Sequence, residues 1–350
     1  MRFFAMDLSA LGPMPIQIFA HAFLTLIFLY VPMIALMSIL TRKWGADLHA
    51  RVGPSLSGLS GLAQPVFDFL KFSGQGPPQG LYRRERLALW LLGSLFCIAL
   101  TLLPLSSERI AFDSDFAALV PLLLILACAQ LLWLLTSAQG SITSLFASLR
   151  YTSQVVSAQF AVLIALFTVA LEAGGFSFQA IIEAQDWVPH QWNGFRSPFD
   201  FVAAIVFYSG GLLLTQISKP ESSFGVRSVD RDLLSRVHGR GYMFFLIGRY
   251  FCVLYWAFFT VILFFGGWKI PKLLQEPLLE SGLHGFFQTV EWLVLLGKSF
   301  FLLLATLILW KVNPIPRMDQ ITQGIWRYLT PLALAALFGK MILFILRATL

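Results

Sequence analysis

Eight stretches of this chain are apolar for long enough to cross a lipid bilayer as helices, and that recurrence constrains the fold more than any motif does. At about 1.5 Å of rise per residue, roughly 20 apolar residues span a hydrocarbon core of about 30 Å. Runs of that order lie near 16–40, 86–104, 116–136, 155–175, 200–217, 242–266, 287–310 and 328–346. Charged residues make up only 12% of the sequence, about half of what a soluble domain carries, and the mean hydropathy is +0.76. The sequence therefore predicts an all-α integral membrane protein: a single domain over 1–350, built as a bundle of about eight transmembrane helices with short amphipathic interfacial helices.

A net charge of +7 would suggest nucleic acid as the partner of a soluble chain. Here the basic residues cluster beside the spans, where topology and anionic lipid account for them, so nucleic acid is not expected. Of the 25 Lys and Arg, sixteen follow spans one, three, five and seven, and six lie on the opposite side. The positive-inside rule then puts the loops 41–85 and 218–241 in the cytoplasm as docking surfaces and both termini on the outer side. Arg2 and Asp7 precede a long apolar run without a small-residue cleavage site, which reads as an uncleaved first span. On the outer side Trp187, Trp192 and Trp268 suit an interfacial belt.

The most informative polar stretch runs from Thr41 to Lys71. Arg42, Lys43 and Arg51 place fixed positive charge at the membrane face, Gly53 and Pro54 are expected to break the first helix, and a Gly- and Ser-rich turn lets the chain fold back. From Leu59 onward Leu62, Val66, Phe69 and Leu70 share one helical face, while Gln64, Asp68 and Lys71 share the opposite one. That pattern predicts a short amphipathic helix lying at the interface. The bland reading of the same loop is a topogenic segment whose charges hold the helix end at the headgroups.

Polar groups inside the spans are fewer. A charge at the centre of a membrane helix costs about 2.5–3.5 kcal/mol on insertion scales, so Arg249, Glu291, Lys298 and Lys340 each need a partner or an aqueous cavity. For Arg249 and Lys298 an ion or proton path and simple helix pairing weigh equally; for Lys340 pairing or snorkelling is favoured. The pair Gly210-Gly211 is the one hint of an interrupted, transporter-like helix. Phosphate-loop, nucleophile-elbow and metal-ligand spacings are absent, and Cys97, Cys128 and Cys252 are unpaired in spacing. No catalytic or metal-ligating residue of the chain's own is expected.

Together these residues resemble subunit 1 of NADH:quinone oxidoreductase, also called its H subunit, which belongs to the membrane arm of respiratory complex I. That family carries E-R-K-x-x-A-x-x-Q-x-R-x-G-P, a Gly-rich turn, then Q-P-x-x-D-x-x-K. Arg42, Lys43, Ala46, Arg51, Gly53, Pro54, Gln64, Pro65, Asp68 and Lys71 fit at the same spacing, with Thr41 for the glutamate and His49 for the glutamine. Leu149, Arg150, Gln154 and Ser157 fit its L-R-x-x-x-Q-x-x-S, Phe265 to Trp268 resembles its glycine-pair-and-tryptophan close of span six, and Lys298 with Pro316, Arg317, Asp319 and Gln320 resembles its seventh span and following loop.

The resemblance implies a subunit that is not catalytic alone but belongs to a translocase. It would form the quinone-access channel and join the redox arm to the ion-translocating arm, in a bacterial inner membrane with periplasmic termini. Quinone would be the substrate, with nothing bound covalently and iron-sulfur clusters only in partner subunits; the partners would be quinone-site soluble subunits and antiporter-like membrane subunits. Arg42, Lys43, Arg51, Gln64, Asp68 and Lys71 would line or brace the channel, and Gln159, Gln216, Arg249, Arg150 and Lys298 would occupy the proton-path positions. The departures are as informative. Thr41, Gln159, Gln216 and Arg249 stand where the family has glutamates. An amide cannot hold and release a proton near neutral pH as a buried carboxylate can, so the proton relay is expected to be altered. The alternatives are a membrane anchor of an energy-converting hydrogenase-type complex, or a repurposed non-redox scaffold or transporter.

Overall fold

The computed structural model describes residues 30–55, 58–75, 95, 98–99, 102–104, 106, 115–124, 127, 142–215, 240–271, 284–312 and 318–349. Most of these residues are helical, with no strand among them. In chain order they form α1 (Val31–Leu48), α2 (Gln64–Gly74), α3 (Ile142–Ala173), α4 (Phe178–Glu183), α5 (Pro198–Thr215), α6 (Arg240–Phe264), α7 (His284–Val312), α8 (Met318–Gly324) and α9 (Thr330–Thr349). A π-turn at Ile325–Leu329 joins α8 to α9.

Among the described residues four helical stretches are long and apolar enough to cross a membrane: Thr152–Ala173, Leu246–Phe264, Phe287–Leu309 and Asp319–Arg347. They coincide with the fourth, sixth, seventh and eighth runs of the sequence. Pro198–Leu213, the fifth, is apolar but shorter. The runs near 86–104 and 116–136 and the first half of 16–40, which complete the expected total of about eight, lie largely outside the described residues.

The core is built around α6. Tyr255, Trp256, Phe258, Phe259 and Phe264 are all buried, and α1, α2, α5 and α7 pack around them. Trp256 stacks on Phe207 of α5 with ring centroids 4.7 Å apart. The Gly210-Gly211 pair makes that approach possible. A Cβ on Gly211 would lie 1.6 Å from Trp256 Nε1, and one on Gly210 would lie 2.5 Å from Val162 Cγ2 of α3. The pair is therefore a packing seam and not the helix break its sequence hinted at; α5 runs through it without interruption. Small residues at such seams let helix backbones approach closely in lipid, where dispersion contacts replace the hydrophobic drive.

A second bundle of α3, α5 and α9 closes on a buried ion cluster. Lys340 of α9, only 2% exposed, reaches Glu172 at the end of α3 (2.7 Å) and Asp200 in the first turn of α5 (2.6 Å). Arg196 binds the other Glu172 oxygen at 2.8 Å, and Arg347 approaches it at 3.5 Å. Ser197 caps α5, its Oγ accepting from the Asp200 amide and donating to the Asp200 carboxylate. Helix pairing is thus the role the structure gives Lys340. It also brings Arg196 and Arg347, both counted on one side of the membrane, to one end of the bundle.

At this end the chain folds tightly over the C-terminus of α6, whose last carbonyls would otherwise have no donors. Gln185 Nε2 donates to the carbonyls of Ile181, Ile262 and Leu263, and its Oε1 accepts from the amides of Asn193 and Gly266. Gly194 N–H reaches the Phe264 carbonyl at 2.8 Å. Gly266 and Gly267 take positive φ (73° and 48°) to turn the chain back. That turn buries Trp268, which the sequence had suggested for an interfacial belt; Trp187 does remain exposed.

Candidate channel-entrance site

The opposite end holds the polar collar. The first helix runs past Leu40 and ends at Leu48, five residues before Gly53, carrying Thr41, Arg42, Lys43 and Trp44 within it. It ends in a reverse turn in which Ala50 adopts a left-handed φ of 51°. Arg51 N–H bonds the Ala46 carbonyl (2.8 Å) and Ala50 N–H bonds that of Asp47 (3.1 Å). Those two bonds are a Schellman closure, usually built on glycine, and nothing in the helical periodicity announced an alanine there.

Gly53 and Gly61 then bring the chain back. A Cβ on Gly53 would sit 3.3 Å from Lys43 Cα, and one on Gly61, at φ 91°, would sit 2.0 Å from the Pro54 carbonyl oxygen. Pro65 in the first turn starts α2. Its polar side turns towards the bundle: Arg42 of α1 pairs with Asp68 at 2.7 Å, with side chains 29% and 19% exposed, and Gln64 Nε2 donates to the other Asp68 oxygen at 2.9 Å. Val66, Phe67, Phe69 and Leu70 are left exposed. The helix is thus turned polar side in and apolar side out, the arrangement suited to a lipid-facing interface and opposite to that of a helix on a water-soluble protein.

The structure therefore brings Arg42, Gln64 and Asp68 together, with Lys43 half-buried beside Gly53. Arg51 and Lys71 are exposed. Thr41, standing where the resembled family has a glutamate, is buried, and its hydroxyl shares a 3.0 Å hydrogen bond with Tyr250 of α6. Tyr250 was not singled out from the sequence; its place next to Arg249 was the available signal. The side chains of Arg249 (α6) and Arg150 (α3) lie outside the described residues, as does Gln216. Gln159 is half-buried on α3. Near it in sequence, Gln154 is buried with its Oε1 unpartnered among the described residues, and Ser157 accepts from Trp326 Nε1 at 3.0 Å.

Lys298 lies elsewhere. Its Nζ donates to the Phe265 and Gly267 carbonyls at 3.0 Å each, just past the C-terminus of α6. From Tyr250 to Phe265 is fifteen residues, or about 22 Å along a helix, so Lys298 and the Arg42–Asp68 pair occupy opposite ends of the bundle.

Four helices among the described residues that are long and apolar enough to span a membrane, with a collar helix that leaves its apolar side chains exposed, are the features of a polytopic helical membrane protein. Comparison with known proteins narrows this. The pattern of the NADH dehydrogenase family matches residues 21–341, and the chain belongs to that family, the complex I subunit 1/H family. It is 28% identical to NADH-quinone oxidoreductase subunit 8 of Rhodothermus marinus over 84% of this chain and 87% of that one. It is 26% identical to the H subunit of NADH-quinone oxidoreductase from Salinibacter ruber (86% and 88% covered) and 24% identical to that from Carboxydothermus hydrogenoformans (85% and 81% covered).

Proposed function

We propose that this chain is the membrane subunit of a complex I-type NADH:quinone oxidoreductase. It forms the quinone-access channel and connects the redox arm to the ion-translocating arm. The observation that carries this is the inverted helix α2, held to α1 by Arg42–Asp68 and Gln64 with its apolar side chains outward. An isoprenoid tail needs an apolar approach at lipid level, and a quinone headgroup needs polar company above it. The collar carries both on the two sides of α2, within about two turns of helix. Quinone-site soluble subunits and antiporter-like membrane subunits are its partners, and the iron-sulfur clusters belong to the former.

The proton relay is altered in this reading. At position 41 the chain offers a hydroxyl hydrogen-bonded to Tyr250, and at 159 an amide, where the resembled pattern has carboxylates. The amide has no proton to exchange near neutral pH. Restoring glutamate at Gln159 and Gln216 is therefore expected not to create pumping while Arg249 remains.

Electron transfer tests the channel. Asp68→Asn leaves the Arg42 guanidinium without its counter-charge, and NADH:quinone reductase turnover in the purified complex is expected to fall severalfold with a long-chain quinone. Unchanged turnover with both long- and short-chain quinones would rule out this end of the bundle as the entrance.

A further inference from the structure

At the end of the bundle away from α2, a slot of about 440 Å³ opens between α5, α6 and α7, walled by Trp192, Phe195, Phe265, Phe301 and Tyr208 with Lys298 at its head. Phe301, at its lip, is 75% exposed, so the slot faces the outside of the bundle. Two polar groups at its head have unmet needs. Lys298 Nζ is held by the carbonyls of Phe265 and Gly267 and lies 4.7 Å over the Trp192 ring, with no carboxylate in ion-pair range among the described residues. Two carbonyl dipoles solvate the ammonium but carry no net charge, so its positive charge has no counter-ion among the described residues. Trp192 Nε1 is buried and has no acceptor among the described residues.

We propose that this slot binds one anionic phospholipid, with its phosphate against Lys298 and the upper part of one acyl chain along the slot. The direction of the walls fits a chain. From Lys298 along α7 to Ala305, and from Phe265 back along α6 to Val261, the lining is apolar and runs towards the middle of the bundle, over about 10 Å on α7. Tyr208 closes it, its hydroxyl donating to the Leu302 carbonyl and bonded to Thr306. Size favours a lipid over a partner helix. One 5.4 Å turn of a helix 10–12 Å across already fills about 400–600 Å³, the whole slot, whereas pockets of about 300–1,000 Å³ are the usual size for small ligands.

The test uses the complex purified through this chain, washed in detergent, with bound lipid counted by native mass spectrometry. Wild type is expected to retain one phosphatidylglycerol that Ala305→Trp, which fills the slot, loses while the subunits stay together. Lys298→Met is expected to lower the preference for phosphatidylglycerol over phosphatidylcholine about fivefold, the worth of one lysine against an anionic surface. An unchanged lipid count in the first variant, or an unchanged headgroup preference in the second, overturns the site. A benzoylphenylalanine photoprobe at Ala305 decides the matter should Ala305→Trp fail to assemble: a cross-link to phospholipid supports the site, and one to a transmembrane helix of another subunit overturns it. None of these readouts involves electron transfer, so they stand or fall apart from the channel reading.

Discussion

At the scale of single residues, the strongest constraint on this chain is the absence of a side chain. The Trp256 indole lies where a Cβ on Gly211 would be, and one turn earlier on the same helix the Phe207 ring stacks on it at 4.7 Å. Trp256 is fully buried in the seam between α5 and α6, so the indole has no solvent side to move into, and overpacking of this kind costs about 1–3 kcal/mol or more. Gly211→Ala is therefore expected to lower the thermal midpoint of the detergent-solubilised protein by several degrees. Gly297→Ala, on α7 where a Cβ would meet nothing within 4 Å, is expected to leave it unchanged. Equal midpoints for the two variants would show that the seam is looser than its geometry. The sequence displayed both glycines of the pair but not the indole that requires one of them, because helical periodicity says which face a residue shares and nothing about what crosses it from another helix.

At the scale of elements, legibility follows the same line. The fourth, sixth, seventh and eighth spans were readable because long apolar runs leave a helix no alternative in lipid, and the amphipathic stripe of α2 was readable because its period is regular. The end of α1 was not, since Ala50 closes the helix in a conformation that glycine ordinarily supplies. Nor could the sequence give the facing of α2. The stripe establishes two sides, and only the Arg42–Asp68 contact tells which one meets the bundle. That facing depends on the fold-back. Gly61 combines a positive φ with a backbone oxygen 2.0 Å from where a Cβ would go, so neither strain nor contact can be relieved locally. Gly61→Ala is expected to release α2 from α1, seen as faster amide exchange across Gln64–Gly74 with α6 still protected. Exchange that stays slow throughout α2 would mean that Arg42–Asp68 alone holds the helix.

Across the whole molecule, two ends with different chemistry are held apart by one aromatic core. The collar end is basic, polar side in, and closed by a half-buried pair; the other end is knotted by Gln185 and by the Lys340 cluster. Lys340 joins α3, α5 and α9 through a single ammonium, because Glu172 and Asp200 approach it from two different helices. Removing one member of a buried ion pair typically costs about 3–5 kcal/mol, since the charge left behind has no solvent, whereas replacing all members with apolar groups of similar volume is often neutral. This predicts a pattern that simple loss of packing would not produce. Lys340→Met alone is expected to be severely destabilising in thermal unfolding of the purified protein, because two carboxylates remain. Adding Asp200→Asn should recover part of the loss, with Arg196 still balancing Glu172 at 2.8 Å. If the double variant is no more stable than Lys340→Met, the cluster contributes through the shape of the lysine stem and not through its charge, and the three helices are held by their apolar seams alone.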